Sequence, residues 1–378
     1  MSSNAIDKYN PGTYLITGAT GFIGSMVVNR LVESEEFKAG NIKLVLQARN
    51  EDKFWQMYEE LRDTYNTYDQ YGYRDDDRSQ IYPLLREVED IDIGYDDEKA
   101  IHYYPELDYI IHCAANTTSS VMISNPVETA NGIVIGTKCV LELAKIENVK
   151  GMVYLSSMEV YGDIKCSPES RATEDMLGNI DILKSRSSYP LGKRMAECYC
   201  SAYANEYCVP VKIARLAQVF GKGIKSGENR SFAQFARAVA EGRDIVLKTE
   251  GKSINNSVAS EDAIDAIFFL LYNGENGQAY NVVNEKNSMS IRDMAELVAR
   301  QLSDGRSKVV IDVEDSSKTG YAADTGLYMS GEKLRQLGFE AKKDLVDMYR
   351  DVMECLQEME KDYEQQKIQT DNFITSIK

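Results

Sequence analysis

The feature that most constrains this chain is the stretch "GATGFIG", residues 18–24, in which glycine recurs at every third position. It follows the apolar run "TYLIT" and precedes "SMVVNRLVES", so a buried strand is predicted to become a helix here. One glycine permits a tight turn with positive φ, another lets backbone approach a phosphate, and a third lets helix and strand pack closely. Because the helix then presents free N–H groups and a positive dipole end, the pyrophosphate of a dinucleotide is the predicted ligand.

The rest of the chain alternates apolar, strand-like runs with helical patterns. The runs include "NIKLVLQARN", "LDYIIHCAA", "KGMVYLSS" and "VPVKIARLAQ", with helices predicted at "PVETANGIVIGTKCVLELAKIENV" and "GKRMAECYCSAYANEY". This order predicts an α/β fold, a doubly wound parallel sheet of the Rossmann type. We predict a dinucleotide-binding domain over 11–220, a smaller C-terminal α/β substrate-binding lobe over 221–345 and a charged helical tail over 346–378. The polar, Tyr-rich residues 51–89 are predicted to be an insertion between the second and third strands.

Composition narrows the classes of partner. The net charge of −17 and the pI near 4.8 disfavour nucleic acid. No apolar run approaches the ~20 residues of a membrane span, and the start "MSSNAIDKYN" lacks the apolar segment of a signal peptide. We therefore predict a cytoplasmic protein without a membrane or nucleic-acid partner. The seven cysteines form no C-x-x-C pair and are predicted to be buried, reduced thiols. Only two histidines occur, which disfavours a His-based metal site or a Ser-His-Asp triad, and no metal is predicted.

The spacing G-x-x-G-x-x-G resembles that of the extended short-chain dehydrogenases/reductases, the NAD-dependent epimerase/dehydratase family. "YIIHCAA", "IGTKCVLELA", "YLSSMEVYG" and "YPLGK" agree with that family in order and spacing. The resemblance extends from residue 13 to about residue 300 and implies a nicotinamide dinucleotide cofactor. It also implies the following cofactor-binding residues, of which Asp90 corresponds to an adenine-contacting Asp: Gly18, Thr20, Gly21, Phe22, Ile23, Gly24, Arg49, Asp90, Ile91, Ala114, Ala115, Tyr189 and Lys193.

The predicted catalytic group is Ser157, Glu159, Tyr189 and Lys193. The four-residue spacing places Tyr189 and Lys193 on one face of a helix, one turn apart. Free tyrosine, with a pKa near 10, is a poor base at neutral pH. An ammonium ~4–6 Å away is expected to lower that pKa by ~1–3 units. The resemblance implies that Ser157 hydrogen-bonds the reacting substrate oxygen and that Lys193 also holds the nicotinamide ribose.

Such a group transfers a hydride and a proton at a hydroxyl-bearing carbon. In the family that this chain resembles, a sugar C4 hydroxyl is transiently oxidised to a ketone, and epimerisation, dehydration or decarboxylation follows before the hydride returns. The chain departs from these patterns. Dehydratases carry an Asp-Glu pair where Met158 and Glu159 stand, and a thioether cannot protonate a leaving hydroxyl. Glu159 is also found in nucleotide-glucuronate decarboxylases, but their C-terminal arginine has no counterpart near Thr325 and Gly326. Glu159 is either catalytic or a structural carboxylate.

The diphosphate-binding arginine of the family is also missing, since Asn255 and Ser257 stand in that stretch. A charge-assisted contact to phosphate is then lacking there. Arg230, Arg237 or Lys252 are the alternative donors. This departure puts a standard nucleotide-diphospho-sugar in doubt.

The end of the second strand bears on the choice between the two nicotinamide cofactors. NAD-binding members usually carry Asp or Glu there, whereas this chain has Gln47, Ala48 and Arg49. An arginine suits a 2′-phosphate, so NADP is slightly favoured over NAD, unless Arg49 is only a solvated loop residue.

The leading prediction is an NAD(P)-dependent sugar-modifying enzyme of the epimerase/dehydratase type that acts on a nucleotide-activated sugar through a 4-keto intermediate. The alternative is an NADPH-dependent carbonyl reductase or alcohol dehydrogenase that releases its cofactor in every cycle. A non-catalytic dinucleotide sensor is disfavoured because Tyr189 and Lys193 are both present. By the same resemblance we predict a homodimer that pairs through the helices over 126–147 and 189–206.

Overall fold

The computed structural model describes residues 8–65, 80–91, 104–313 and 326–376. Its strands are β1 (Gly12–Thr17), β2 (Ile42–Ala48), β3 (Ile81–Leu85), β4 (Tyr109–His112), β5 (Gly151–Ser157), β6 (Val211–Leu216), β7 (Gln218–Phe220), β8 (Ile245–Leu247), β9 (Ile254–Ala259), β10 (Ala279–Val282), β11 (Asn284–Ser290) and β12 (Val309–Ile311).

Its helices are α1 (Phe22–Val32), α2 (Glu35–Lys38), α3 (Glu51–Tyr65), α4 (Ser119–Ser124), α5 (Pro126–Ile146), α6 (Ser188–Tyr207), α7 (Ser231–Ala240), α8 (Ser260–Asn273), α9 (Ile291–Leu302), α10 (Glu332–Leu337) and α11 (Leu345–Ser376). Short 3₁₀ helices are formed by Val88–Asp90, Met158–Tyr161 and Ser185–Ser187.

The large sheet has seven parallel strands in the order β10-β6-β5-β4-β1-β2-β3. The strand order reverses between β1 and β4, and ligands of doubly wound sheets bind at the carboxyl ends of strands at this point. The predicted fold class, a doubly wound parallel sheet, is thereby confirmed.

Successive side chains of each central strand enter different cores, which explains why these strands are uninterrupted apolar runs. In β1, Tyr14 and Ile16 pack into one buried cluster and Leu15 into the other. The first cluster includes side chains of α1 and α8, and the second those of α5 and α6. Helices therefore cover both faces, and the carboxyl edge of the sheet is left for the site.

The lobe contains a three-stranded sheet, β11-β9-β7, and a two-stranded sheet, β12-β8. Its core joins α7, α9 and the beginning of α11, where Leu345, Met348, Tyr349 and Val352 are buried. The predicted boundary at 345/346 therefore needs correction, because the first turns of the predicted tail belong to the lobe. Apolar residues recur at helical spacing in these turns, and the apolar face that they form packs against α7 and α9.

Two other predicted boundaries also need correction. Within the predicted insertion, 51–65 form helix α3, and 81–85 form β3, the edge strand of the large sheet. Residues 66–79 lie outside the described part of the chain. Pro83 weakens the strand pattern in the sequence, yet proline is tolerated on an edge strand. The boundary at 220/221 also does not separate the sheet from the lobe, because β10 pairs with β6 and α8 packs on the large sheet.

The cysteines differ in part from the expectation. All seven are free, but only Cys200 is buried, while Cys198 and Cys208 are exposed. Cys198 lies on the outer face of α6 and Cys208 at its end, where the backbone turns into the left-handed region. In the described ranges, no helix has the length and apolar character to cross a membrane.

Candidate active site

The glycine turn has the predicted geometry. Gly18 adopts φ +64°, and a Cβ there would lie 2.9 Å from the Ala114 Cα, so the turn runs directly beside the end of β4. A Cβ on Gly24 would lie 2.2 Å from the Gly18 oxygen, and one on Gly21 would lie 3.0 Å from it. Helix α1 begins at Phe22 with no side-chain cap and no acidic residue in its first turn. The turn is thus a backbone cradle at a helix N-terminus, which suits a pyrophosphate.

The other residues of this turn lie at its rim. Phe22 and Ile23 are half-buried, and Phe22 packs against both the sheet core and the lobe core. The carbonyl oxygen of Thr20 accepts a hydrogen bond from the Lys225 ammonium, 2.5 Å away. The lobe therefore contacts the turn directly.

Gln47 holds the glycine turn to the sheet. Its side-chain oxygen accepts from the Gly18 N–H at 2.8 Å, and its amide nitrogen donates to the Arg86 carbonyl at 2.6 Å. The Ala19 N–H donates to the backbone carbonyl of Gln47 at 3.0 Å. Buried Gln47 is therefore structural, and exposed Arg49 is the residue at the end of β2 that can meet a ribose or a 2′-phosphate.

A buried polar chain fixes the end of β4. The Thr17 hydroxyl lies 2.7 Å from His112 Nδ1 and accepts from the Ala114 N–H at 3.1 Å, while His112 Nε2 lies 3.1 Å from the Thr137 hydroxyl. Burial lowers the pKa of His112 to about 3, so this histidine is neutral and structural. Ala114 and the adjacent, half-buried Ala115 are thereby held against the glycine turn.

The strand ends place the predicted cofactor residues along one edge. Arg49 follows β2, and Asp90 and Ile91 follow β3, with Asp90 exposed and Ile91 buried. Parallel neighbours lie about 4.8 Å apart, so β2 is roughly 14 Å from β5 along the edge. Arg49 and Asp90 are therefore not beside the catalytic group. They lie at the β2–β3 end of the same sheet edge.

Three of the predicted catalytic residues meet at the end of β5. Ser157 is the last residue of that strand, and its side chain lies near enough to the buried phenol of Tyr189 on α6 to lower the pKa of that phenol. The Lys193 ammonium, one turn further along α6, lies 5.8 Å from the centroid of the Tyr189 ring. The Ser157, Tyr189 and Lys193 side chains converge at the edge that carries the glycine turn.

The expected lowering of the Tyr189 pKa is wrong for this structure. Burial, and after it the negative charge of Glu159, raise the pKa of Tyr189 to about 12. The Ser157 hydroxyl and the charges of Arg186 and Arg230 act in the opposite direction but do not outweigh them. Lys193 directs its ammonium to the Leu155 carbonyl, 2.6 Å away. Desolvation of the phenolate therefore outweighs the help of nearby cations.

Lys193 is itself held in a buried setting. Burial lowers its pKa to about 8, and the neighbouring Glu197 opposes this effect. Glu197 also accepts from Ser156 at 2.5 Å and forms an ion pair with Arg215 at 2.8 Å. This buried network ties α6 to β5 and β6 and so fixes the helix that carries Tyr189 and Lys193.

Glu159 lies within the site and is paired. Its Oε1 accepts from Arg186 Nη2 at 2.8 Å, and both side chains are about one-third exposed. The guanidinium carbon of Arg186 lies 5.6 Å from the centroid of the Tyr189 ring. Met158, in contrast, packs against the core of the sheet.

The structure distinguishes between the cationic residues that could replace the missing diphosphate-binding arginine. Asn255 is buried and donates to the Ser257 hydroxyl at 3.1 Å, so this pair is used within the lobe. The charge of Arg230 lowers the pKa of Tyr189, and Glu228 binds the Arg230 guanidinium through two hydrogen bonds of 3.0 and 2.6 Å. Arg237 donates to the Glu228 carbonyl. Lys252 is exposed and paired with Glu250.

The sequence pattern does not indicate the roles of two further residues, Arg186 and Gln47. Arg186 and Gln47 act through partners 27 and 29 positions away in the chain. The signal available for Arg186 was its place three residues before Tyr189, on the same approach to the helix. The C-terminal arginine of decarboxylases would stand near Thr325 and Gly326. Thr325 lies outside the described residues, and the Gly326 carbonyl accepts a hydrogen bond from the Cys166 thiol at 3.2 Å.

Comparison with known proteins agrees with this geometry. The family model described as "NAD dependent epimerase/dehydratase family" matches residues 14–284. UDP-glucuronic acid decarboxylase 1 of Xenopus tropicalis is 27% identical over 219 residues, 56% of this chain and 51% of that protein. UDP-glucuronic acid decarboxylase 6 of Arabidopsis thaliana is 27% identical over 263 residues, 70% of this chain and 67% of that protein. The match thus spans about half the length of the former relative.

Among solved structures, UDP-glucose 4-epimerase of Thermotoga maritima superimposes with a TM-score of 0.70 at 19% identity, covering 92% of this chain and 99% of that one. The dTDP-glucose 4,6-dehydratase of Bacillus anthracis, solved in complex with NAD, gives a TM-score of 0.68 at 20% identity, covering 93% and 98%. These likenesses support the fold.

The residues present fit a nicotinamide dinucleotide. The glycine cradle has no room for a Cβ at Gly18 or Gly24, and no carboxylate opposes a phosphate in the first turn of α1. The family match, which covers well over half of the chain, confirms the expected NAD or NADP at the level of the family. By this match and by the geometry of its sheet edge, the chain belongs to the NAD-dependent epimerase/dehydratase family.

Proposed function

We propose that this chain is an NAD(P)-dependent enzyme that oxidises a hydroxyl of a nucleotide-activated sugar to a ketone and later reduces it. The observation that carries the proposal is the convergence of Ser157, Tyr189 and Lys193 beside the glycine turn. Relatives named as UDP-glucuronic acid decarboxylases and a structural neighbour bound to UDP-glucose support the substrate class.

A bound oxidised nicotinamide dinucleotide would supply the hydride acceptor and a positive charge that favours the phenolate of Tyr189. Tyr189 accepts the hydroxyl proton, and Ser157, whose side chain lies beside the phenol, orients the same substrate oxygen. Lys193 contributes a positive charge near the phenol and is fixed by the Leu155 carbonyl. Glu159 is then the remaining acid or base for a second proton transfer at a neighbouring carbon. The residues that we propose to hold the dinucleotide are those of the glycine turn and the neighbouring strand ends: Gly18, Thr20, Gly21, Phe22, Ile23, Gly24, Arg49, Asp90, Ile91, Ala114 and Ala115.

The alternative, a carbonyl reductase that releases NADPH in every cycle, is supported by Arg49 at the end of β2, by the long segment after β2 and by Asn255 in place of a diphosphate-binding arginine. The two functions differ in what happens to the cofactor. Purified protein should carry bound dinucleotide, and a nucleotide sugar added without external cofactor should be converted over many turnovers. If conversion instead consumes one NADPH per product, the reductase alternative is correct. Mass spectrometry of the released dinucleotide decides between NAD and NADP.

The assembly belongs to the same proposal. Exposed apolar side chains lie on the outer surface of α5 and α6, namely Val127, Ile135, Ile146 and Met195. Val140 and Leu143 are buried against the sheet and are unavailable to a partner. We propose that two copies pair through these two helices. A cytoplasmic location, which seven free thiols suit, is part of the same proposal.

A further inference from the structure

The loop between β7 and α7 brings a cation from the lobe to the glycine turn. In this loop the Lys225 ammonium donates to the Thr20 carbonyl at 2.5 Å. Its neighbour Ile224 is buried in the core of the lobe. The Lys222 carbonyl, three residues earlier, accepts from the Ser260 hydroxyl on α8 at 2.8 Å. These two contacts anchor the loop, so the fold of the lobe sets the position of the ammonium.

A cation at this place is electrostatically unfavourable by itself. Thr20 directly precedes Gly21, the N-cap of α1, and the N-terminus of a helix carries a partial positive charge. The first turn of α1 contains no acidic residue that could offset this charge. Partial burial, and after it the positive charge of Lys53 on α3, lower the pKa of Lys225, while Glu60 acts in the opposite direction. The surroundings of the Lys225 ammonium are thus short of negative charge.

The contacts of Lys225 leave donors for a ligand. Acidic residues outnumber basic ones by 60 to 43 in the chain, yet no carboxylate in the described ranges pairs with Lys225. Of the three N–H donors of its ammonium, one has an acceptor there, the Thr20 carbonyl. The side chain is also partly open to solvent. An anion at the turn would accept from the remaining donors and supply the negative charge that these surroundings lack.

We propose that Lys225 is a cofactor-binding residue contributed by the lobe, and that its ammonium binds a phosphate of the nicotinamide dinucleotide at the glycine turn. A phosphate suits this place because its oxygens accept both from backbone N–H groups of a helix N-terminus and from an ammonium. The dinucleotide offers two such groups, the pyrophosphate and, in NADP, the 2′-phosphate. The contact joins the lobe to the sheet through the cofactor and slows the release of the cofactor. The inference goes beyond the proposed function, since it does not depend on the sugar.

Fluorescence titration of the full chain with NADH and with NADPH measures this contact. Lys225→Gln removes the charge and keeps a side chain of similar length, and its affinity for the dinucleotide should be about 5–20-fold lower than that of wild type. A loss for both dinucleotides identifies the pyrophosphate as the bound group, and a loss for NADPH alone identifies the 2′-phosphate. Release of bound dinucleotide after dilution should be faster in Lys225→Gln by a similar factor.

Two variants and a salt series separate phosphate binding from a structural role. Lys225→Arg keeps the charge and should retain most of the affinity. Lys222→Gln removes the same charge from the same loop, where the exposed Lys222 acts on Glu261, and should leave the affinity unchanged. The affinity of wild type should fall as salt is added, and this dependence should be weaker in Lys225→Gln. Circular dichroism and thermal unfolding check that each variant is folded.

The results that would overturn the inference are distinct from those that bear on the sugar chemistry. Unchanged affinity for both dinucleotides in folded Lys225→Gln, or an equal loss in Lys222→Gln, removes Lys225 from the cofactor site. A loss that is independent of salt and comes with a lower unfolding temperature gives Lys225 only a structural role and also overturns the inference. If wild type binds neither dinucleotide, the cofactor site and the inference fail together. Failure to convert a nucleotide sugar, with the predicted affinities, contradicts the proposed function alone.

Discussion

At the residue scale, the phenol of Tyr189 is opposed by its surroundings. Burial and the charge of Glu159 raise its pKa to about 12, while Arg186 and Arg230 act the other way. Glu159 is either a catalytic acid or base or a structural carboxylate. The pH profile and the rate of a variant without this charge separate the two roles.

Replacing Glu159 with Gln removes a negative charge that disfavours the phenolate, so the pKa of Tyr189 should fall. The activity, which rises with pH as Tyr189 ionises, should then begin to rise at a lower pH than in wild type. The pH profile of cofactor reduction under single-turnover conditions measures this shift. Lys184→Gln, at a largely exposed side chain on the approach to α6, serves as the control. An unshifted profile with a reduced rate at every pH would instead assign Glu159 to a proton transfer. A shift to higher pH would contradict the electrostatic account.

The sequence predicts a site residue well when the partner of that residue lies close to it along the chain. The Tyr189–Lys193 spacing is local, so helical periodicity alone placed both on one face, as the structure confirms. The predicted lowering of the Tyr189 pKa is wrong because this pKa depends on burial by segments that are distant in the chain. The roles of Arg186 and Gln47 depend on contacts between β2, β5 and the approach to α6, and no spacing rule reports these.

At the element scale, the glycine turn joins β1 to α1 and leans on the end of β4. A valine at Gly18 would combine a positive φ with a Cβ 2.9 Å from the Ala114 backbone, so it would strain the fold as well as the cofactor site. Gly21 is the better position for a test. It has φ −70°, which any residue adopts, and its Cβ would meet only the Gly18 oxygen, at 3.0 Å.

We expect Gly21→Val to remain folded and to lose cofactor affinity by about 10-fold or more, equivalent to at least about 1.4 kcal/mol, because its side chain would occupy the approach of the pyrophosphate. Fluorescence titration with NADH and NADPH measures the affinity. Gly305→Asn is the matched control, since it lies in an open turn of the lobe with φ +77° that Asn tolerates. Near-normal affinity in folded Gly21→Val would remove this turn from the cofactor site.

The elements themselves differ in how well the sequence predicted them. Central strands were recognisable because burial on both faces demands unbroken apolar runs. Edge strand β3 was missed because Pro83 interrupts its pattern, and helix α3 was missed because its sequence is polar and Tyr-rich. The assignment of β10 to the large sheet depends on long-range pairing with β6, which local periodicity does not contain.

At the scale of the whole molecule, the exposed apolar side chains of α5 and α6 predict a dimer. Sedimentation at micromolar concentration should show two copies. Met195→Asp should shift the equilibrium to monomer, because it places a charge among apolar side chains that the partner would cover. Val246→Asp, a similarly exposed apolar position on β8 of the lobe, should not change the assembly. A wild-type monomer, or equal effects of the two variants, would refute the pairing.

The central claim is that Tyr189 is the base for oxidation of the substrate hydroxyl, and Tyr189→Phe tests it most directly, since it removes one oxygen from a buried ring. Folding and cofactor affinity should persist, while cofactor reduction by a nucleotide sugar should fall by about 10²–10⁴-fold. Raising the pH should not restore the rate of this variant. It should partly restore Lys193→Met, in which Tyr189 is still present to ionise. Retention of more than about a tenth of wild-type turnover by folded Tyr189→Phe would contradict the account and place the base elsewhere.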